Sequence, residues 1–411
     1  MTPFLPEADR LAAVREALPA TSAGIYLNAG SVGPLPAETQ RAMAEEAERE
    51  LRLGRASLDD FLELLERMDE ARAAIAAVAR ADPAAIALTH STTEALNIAT
   101  WAIDLAAGDR VVTSRLEHAG ALGPLYILRD RLGVDLVMAD LGDGGDDEKT
   151  LAALDAAIVS GTRLVSISHV AWTTGAVLPI ARIAELAHAR GALLAVDGAQ
   201  AVGAIPVDVG ALGTDFYAMP AQKWLLGPEG MAALHVAAPV LDRARQTFAG
   251  HFSYESHDLT GGAQPWPDGR RFETSGYGRA AVIGMARSIA WLSMYVGLDW
   301  VHGRGTALAR LAADRLAAIP GVELVTPRGQ MATLVTFRIA GWPAADAHEE
   351  ITRRSFAIFR SVPTDALRIS VGFYNSEAEL ERFAATVELV ASHRPGTLPP
   401  RRTLTILGDG G

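Results

Sequence analysis

Asp215-Phe216-Tyr217-Ala218-Met219-Pro220-Ala221-Gln222-Lys223-Trp224-Leu225-Leu226-Gly227-Pro228 is the stretch that decides how this chain is read. A strand-like apolar run passes through a proline into a lysine, and the 411 residues hold only one other lysine, Lys149. The remaining 35 of the 37 basic residues are arginines. A desolvated lysine can lose its proton and condense with a carbonyl, whereas arginine stays charged and cannot replace it in that chemistry. Lys149 sits in Gly144-Gly145-Asp146-Asp147-Glu148-Lys149, a solvated acidic turn with nothing to depress its pKa. A compositional preference for arginine accounts for the scarcity of lysine, but not for which lysine remains.

Working outward, short apolar runs at 85–89, 110–114, 163–169, 192–197, 215–219 and 231–236 read as buried strands bounded by Gly, Asp or Pro. Helical spacing fills the gaps: Ile180, Ile183, Leu186 and Ala187 form one stripe, and 93–106 has a similar pattern. The alternation predicts an α/β fold, a mostly parallel central sheet covered by helices, with ligands at the carboxyl ends of the strands. Upstream, 37–80 reads as two amphipathic helices with Gly54 between them. The stretch 249–278, with Gly261-Gly262, Pro265-Trp266-Pro267 and Asp268-Gly269, reads as a long structureless loop of the kind used as a lid. Beyond it, helices at 280–296, 305–319 and 376–391 and strands at 322–326, 332–338 and 367–371 predict a smaller α+β C-terminal domain. The expected division is a large domain over 20–285, a small domain from 1–19 and 286–394, and a mobile tail over 395–411.

Composition narrows the function. An apolar fraction of 49% suits one large or two medium domains. A net charge of −12 argues against nucleic acid or an anionic membrane as main partner. The absence of cysteine removes disulfides, thiolate metal sites and sulfur nucleophiles, and no metal is expected. Met1-Thr2-Pro3-Phe4-Leu5-Pro6-Glu7 lacks a basic flank and an apolar core, and no apolar run approaches the ~18 residues of a membrane span, so a cytoplasmic location is the default expectation.

Candidate site residues gather at the expected strand ends. Asp197 follows an apolar strand and precedes Gly198-Ala199-Gln200; taken alone it also reads as a turn former. Ser91, Thr92 and Thr93 stand at a strand-to-helix junction, where hydroxyls and free N–H groups suit a phosphate, though a plain N-cap would look the same. His118 follows the 110–114 strand and is either a ring that stacks on a ligand or a polar loop residue. Arg368 lies in an apolar strand, where a ligand's carboxylate or a structural ion pair would occupy its fork. An acid able to face a ring nitrogen, an amide able to reach a phenolic oxygen and a carbonyl-binding lysine arrive in the order that pyridoxal 5'-phosphate (PLP) binding requires.

The ordered set resembles the class V aminotransferase family of fold-type I PLP enzymes, which takes in cysteine desulfurases, cystine and cysteine-conjugate C–S lyases, isopenicillin N epimerase-like proteins and kynureninases. The matching segments are Tyr26-Leu27-Asn28-Ala29-Gly30, 91–97, Glu117-His118, 168–175, 197–203, Gln222-Lys223-Trp224 and 368–375. The resemblance implies Lys223 as Schiff-base lysine, Asp197 as partner of the ring nitrogen and Gln200 as the phenolic-oxygen contact. It implies His118 as the stacking residue, Thr92 and Thr93 with Ser91 as phosphate ligands, and Arg368 as the substrate carboxylate clamp. Asn28 joins the expected substrate residues, and His251 and Tyr254, with His257 and Trp266, are the lid residues expected to select it.

Three departures qualify the match. Pro220 and Gln222 stand where the family has a hydroxyl residue and a histidine, leaving Gln222 as a replacement phosphate contact. Trp172 occupies the place of a desulfurase asparagine near the ring and looks more like the C–S lyase and epimerase-like branch. Phe272-Glu273-Thr274-Ser275-Gly276 parallels, out of register, a segment that reaches a neighbouring subunit's phosphate, which implies a homodimer with a shared site. Desulfurases relay sulfur through a cysteine thiolate, which this chain lacks. The expectation is therefore a PLP-dependent C–S lyase for cysteine, cystine or a cysteine S-conjugate, with a place in secondary metabolism open to it. Transamination, epimerisation and decarboxylating oxidative deamination at the same Cα are the alternatives, and a non-catalytic binding module is the remote one.

Overall fold

The computed structural model describes residues 7–400. Residues 1–6 and 401–411, parts of the expected small domain and tail, lie outside the described residues. After a first short strand, Ile25–Tyr26 (β1), a seven-stranded sheet is built from Ile86–Thr89 (β2), Arg110–Ser114 (β3), Asp135–Ala139 (β4), Thr162–Ser168 (β5), Leu193–Asp197 (β6), Phe216–Pro220 (β7) and Ala232–Val236 (β8). The order is β2-β8-β7-β6-β5-β3-β4. The neighbours from β7 to β4 run parallel, and β8 is antiparallel to both β7 and β2. Strands β6, β7 and β8 are buried at every position, as sheets covered on both faces require. On the covering helix Ile180–His188, Ile180, Ile183, Ala184 and Ala187 are buried. Two apolar cores flank the sheet, one containing Val112, Val196, Tyr217 and Met219, the other Val111, Ala195, Phe216 and Ala218, as the strand period of two dictates.

The 249–278 stretch corrects an expectation. It holds an antiparallel hairpin, Tyr254–His257 (β9) with Ala263–Pro265 (β10). The glycines read as breakers make its turn: Gly261 takes φ +104°, and the Asp258 carboxylate accepts from the N–H groups of Thr260 at 2.6 Å and Gly262 at 3.0 Å.

The smaller unit contains Val322–Leu324 (β11), Leu334–Ile339 (β12), Ala357–Ile358 (β13), Arg360–Val362 (β14) and Ala366–Ser370 (β15). Four of these form an antiparallel sheet in the order β11-β12-β15-β14, and β13 pairs in parallel with β1. Helices Leu298–Ala317, Ala344–Ser355 and Glu377–Ala391 contribute Leu308, Ile351 and Phe383 to its core, which also takes in Ile25 and Leu27. Val14 and Leu18 join the larger core instead. Leu398 packs on the small core and Arg354 Nη2 donates to the Pro399 carbonyl at 3.0 Å, whereas residues 395–397 and 399–400 are exposed. No single helix among the described residues is long and apolar enough to cross a membrane.

Candidate active site

Asp197 ends β6, in register with Ser168 on β5 and Ala218 on β7, and is 7% exposed. Its Oδ1 accepts the Ala199 N–H at 2.9 Å, which leaves the other oxygen without a donor among the described residues. Gln200, one turn on, is oriented from both ends of its amide: Nε2 donates to the Gly30 carbonyl at 2.9 Å, and Trp224 Nε1 donates to Oε1 at 3.0 Å. A Cβ on Gly30 would come within 3.0 Å of Gln200 Oε1 and 2.7 Å of Ser370 Oγ, so a larger residue here would push on the Gln200 and Ser370 side chains.

Lys223 stands on a tight loop after β7. The Gly227 N–H donates to the Ala221 carbonyl at 2.8 Å, the Leu226 N–H to the Lys223 carbonyl at 3.2 Å, and Leu226 takes a left-handed φ of +54°. A branched aliphatic side chain in that conformation is strained, and backbone strain of this kind concentrates at functional loops. Burial pulls the Lys223 ammonium down to about 8; the Asp197 charge opposes the shift, and Arg368 and Arg360 add to it. An amine so placed gives up its proton near neutrality, which condensation with an aldehyde requires.

At the other end of the cavity, Ser91 caps helix Thr92–Trp101, its Oγ accepting the Glu94 N–H at 3.0 Å. Thr92 and Thr93 follow at the positive end of the helix, where free N–H groups suit a phosphate. The junction is braced behind by His90, stacked on Tyr277 at 4.6 Å and 5°, and by the Tyr277 hydroxyl donating to the Leu88 carbonyl at 2.5 Å. His118 caps the helix Ala119–Leu132: its Nδ1 accepts the Gly120 N–H at 3.1 Å, so the neutral ring carries its proton on Nε2. Burial first, then the Lys223 charge, lowers its pKa and keeps the ring neutral.

The third wall is cationic and aromatic. Arg368 is 1% exposed, donates from Nη1 to the Trp172 carbonyl at 2.9 Å, and leaves Nε and Nη2 buried without partners. Burial, with the neighbouring Arg360, lowers it to about 9, so it remains a cation at neutral pH. The guanidinium carbons of Arg368 and Arg360 each lie 5.9 Å from the centre of the Trp172 ring, and His118 meets that ring edge-on at 5.0 Å. No carboxylate among the described residues bonds Arg368, so its open fork is set for an acid brought by a ligand.

Ser91, Thr92, Thr93, His118, Trp172, Asp197, Gln200, Gln222, Lys223 and Arg368 thus line one cavity of about 250 Å³. Three other expected residues do not line it. Asn28 is held by a backbone bridge to Ser370 with its Oδ1 buried and unpartnered. His251 and Tyr254 line a separate cavity of about 300 Å³ with Phe61, His257 and Trp266. The sequence reading missed Gly30, Ser31 and Arg360, which do line the Lys223 cavity; Arg360 Nη1 lies 3.3 Å from Ser31 Oγ.

The residues present fit PLP: a phosphate would sit at the Ser91–Thr93 helix end, a ring nitrogen at the free Asp197 oxygen, and the aldehyde carbon at Lys223. Fold and site together define a fold-type I PLP enzyme. The family model described as "Aminotransferase class-V" matches residues 25–383, and the chain belongs to that family. It is 31% identical to the isopenicillin N epimerase of Streptomyces clavuligerus over 382 residues, 89% of this chain and 94% of that one. It is 27% identical to a probable cysteine desulfurase of Methanothermobacter thermautotrophicus, over 92% and 97% of the two chains. Among solved structures, a cystine C–S lyase in complex with its product cysteine persulfide matches with a TM-score of 0.86 at 23% identity, over 92% of this chain and 100% of that one. The apo cysteine desulfurase of Thermococcus onnurineus matches at 0.83 and 25%, over 93% and 98%.

Proposed function

We propose that this protein is a PLP-dependent C–S lyase that performs β-elimination on cysteine, cystine or a cysteine S-conjugate. One observation carries the reading: a carbonyl-binding lysine site of a family rich in cysteine desulfurases stands in a chain without a single cysteine. Sulfur cannot be passed to a thiolate of these 411 residues, so it leaves as a small molecule. Bound PLP supplies an electron sink for the pair left at Cα. Arg368 holds the substrate carboxylate through Nε and Nη2. Lys223 Nζ, once displaced by the substrate amine, takes the Cα proton. The Cα–H electron pair then becomes the Cα=Cβ bond while the Cβ–S pair departs with sulfur. His118, neutral with its proton on Nε2, is the donor available to the leaving sulfur. The released enamine hydrolyses to pyruvate and ammonia.

Two further readings belong with this one. A homodimer explains why His251 and Tyr254 open on a different cavity from that of Lys223 in the same chain, since each lid would serve the other subunit. A cytoplasmic location follows the sequence expectation. The second function favoured by a specific observation is epimerisation, on the 31% identity to the Streptomyces clavuligerus enzyme. Incubation of the PLP-loaded protein with cystine, cysteine and S-aryl cysteines in D2O separates the two. Pyruvate is expected with an equal amount of sulfide from cysteine, persulfide from cystine or free thiol from the S-aryl cysteines; recovered amino acid deuterated and inverted at Cα, with no pyruvate, overturns the lyase in favour of the epimerase.

A further inference from the structure

Glu117 lies behind the cavity and plays no part in the reaction as described. It is 5% exposed, and both of its oxygens are engaged by neutral hydroxyls: Ser114 Oγ donates to Oε1 at 2.6 Å and Ser168 Oγ to Oε2 at 2.5 Å. Ser114 ends β3 and Ser168 ends β5, and the Ser114 Oγ also accepts the Leu116 N–H at 3.1 Å. No arginine, lysine or histidine among the described residues pairs with it. Carboxyl groups are seldom fully buried without a cation, so this one has a reason other than solubility or an ion pair. Ser168 is the register partner of Asp197, which puts the clamp one residue across the sheet from the acid of the site.

We propose that Glu117 is a positioning residue for Asp197, tying the carboxyl ends of β3 and β5 beneath the cavity and adding a second acidic charge behind the one that faces the ring nitrogen. The inference rests on the reading that Asp197 meets that nitrogen and that Lys223 holds the coenzyme. If the tie were the whole role, an amide of the same shape would serve equally, because a serine hydroxyl both donates and accepts. The acid differs from the amide only in its ability to ionise. Burial first, and then the Asp197 charge, raise the Glu117 carboxyl to about 7, against the pull of the two serines. Interaction between two acids is mutual: an ionised Glu117 favours a proton held opposite Asp197.

The charged and titratable groups around it are few. Asp197 on β6 is the charge that bears on Glu117 directly. His118, next in the chain, is itself influenced by Lys223, Arg360 and Arg368 across the cavity. His169, which follows Ser168, is bonded to the Tyr217 hydroxyl at 2.8 Å and is kept neutral by burial. Glu117 is therefore the acid of the set that changes charge near neutrality.

The test follows the visible absorption of PLP-loaded protein against pH in the wild type, Glu117→Gln and Ser168→Ala. The wild-type band titrates in two steps, one near neutrality. Glu117→Gln loses the neutral step, and its remaining midpoint falls by about half to one pH unit, because a negative charge that favoured the proton is gone. Ser168→Ala removes a donor to the ionised carboxylate and moves the neutral step upward. A Glu117→Gln titration that superimposes on the wild type, or moves to higher pH, overturns the inference. Should that variant fail to take up PLP, Ser168→Ala decides: upward movement supports the role and an unmoved step refutes it. Borohydride reduction keeps the two levels apart, since coenzyme missing from Lys223 defeats the underlying reading, whereas coenzyme on Lys223 with an unshifted titration defeats only this one.

Discussion

On the function proposed above, Arg368 is a residue that gives up stability for a substrate. A guanidinium 1% exposed, with two donors unpartnered, costs stability that a ligand's carboxylate recovers only when it binds. Arg368→Met keeps the volume and removes the buried charge. The coenzyme-free variant should resist urea better than the wild type, by about 1–4 kcal/mol. Its kcat/KM for amino acids should fall at least tenfold, since hydrogen bonds to charged groups are worth ~1.5–3 kcal/mol each. A variant less stable than the wild type would show that the arginine holds the fold rather than the substrate. That Lys223 and Asp197 would line one cavity was legible from the sequence, because the chemistry expected of them is tied to residue type. Arg360 was not, because β14 is three residues long with only Val362 buried, too short for an alternation to register.

At the scale of elements, β2, which leads into the Ser91–Thr93 end of the cavity, is held by a tie made 185 residues away in sequence. Glu273, 2% exposed, accepts from Arg72 Nη2 at 2.8 Å and from the Leu88 N–H at 2.9 Å, joining helix Leu58–Ala79, β2 and the segment that carries Thr274. Glu273→Ala leaves the buried Arg72 with only the exposed Asp69 as partner, and should cost about 3–5 kcal/mol in urea unfolding. A loss below about 1 kcal/mol would mean that the pair is not buried in solution. The strand at 192–197 could be read because Ala192 to Val196 is a continuous apolar run closed by Asp197, and that at 110–114 because the β-branched Val111-Val112-Thr113 follows the Gly108-Asp109 breaker. β4 was overlooked: it is an edge strand whose first residue, Asp135, is exposed and whose next three are only half-buried, so its pattern is diluted. The β9–β10 hairpin was hidden because its strands are mostly exposed and its turn glycines read as breakers of structure rather than makers of it.

For the whole molecule, residues from Gly30 to Arg368 meet because a parallel sheet delivers successive loops to one edge, and the small unit lays β15 across that edge. This convergence was visible in the order of motifs along the chain. The hairpin expected to act as a lid opens, within this chain, on a cavity other than that of Lys223, since what a surface hairpin reaches depends on chain packing that local pattern does not encode.

The most direct measurement is a peptide map of the PLP-loaded protein after borohydride reduction. The phosphopyridoxyl mass should fall on the peptide containing Lys223, and Lys223→Ala should take no reducible label. Label on Lys149, or on neither lysine in a coloured protein, would contradict the account.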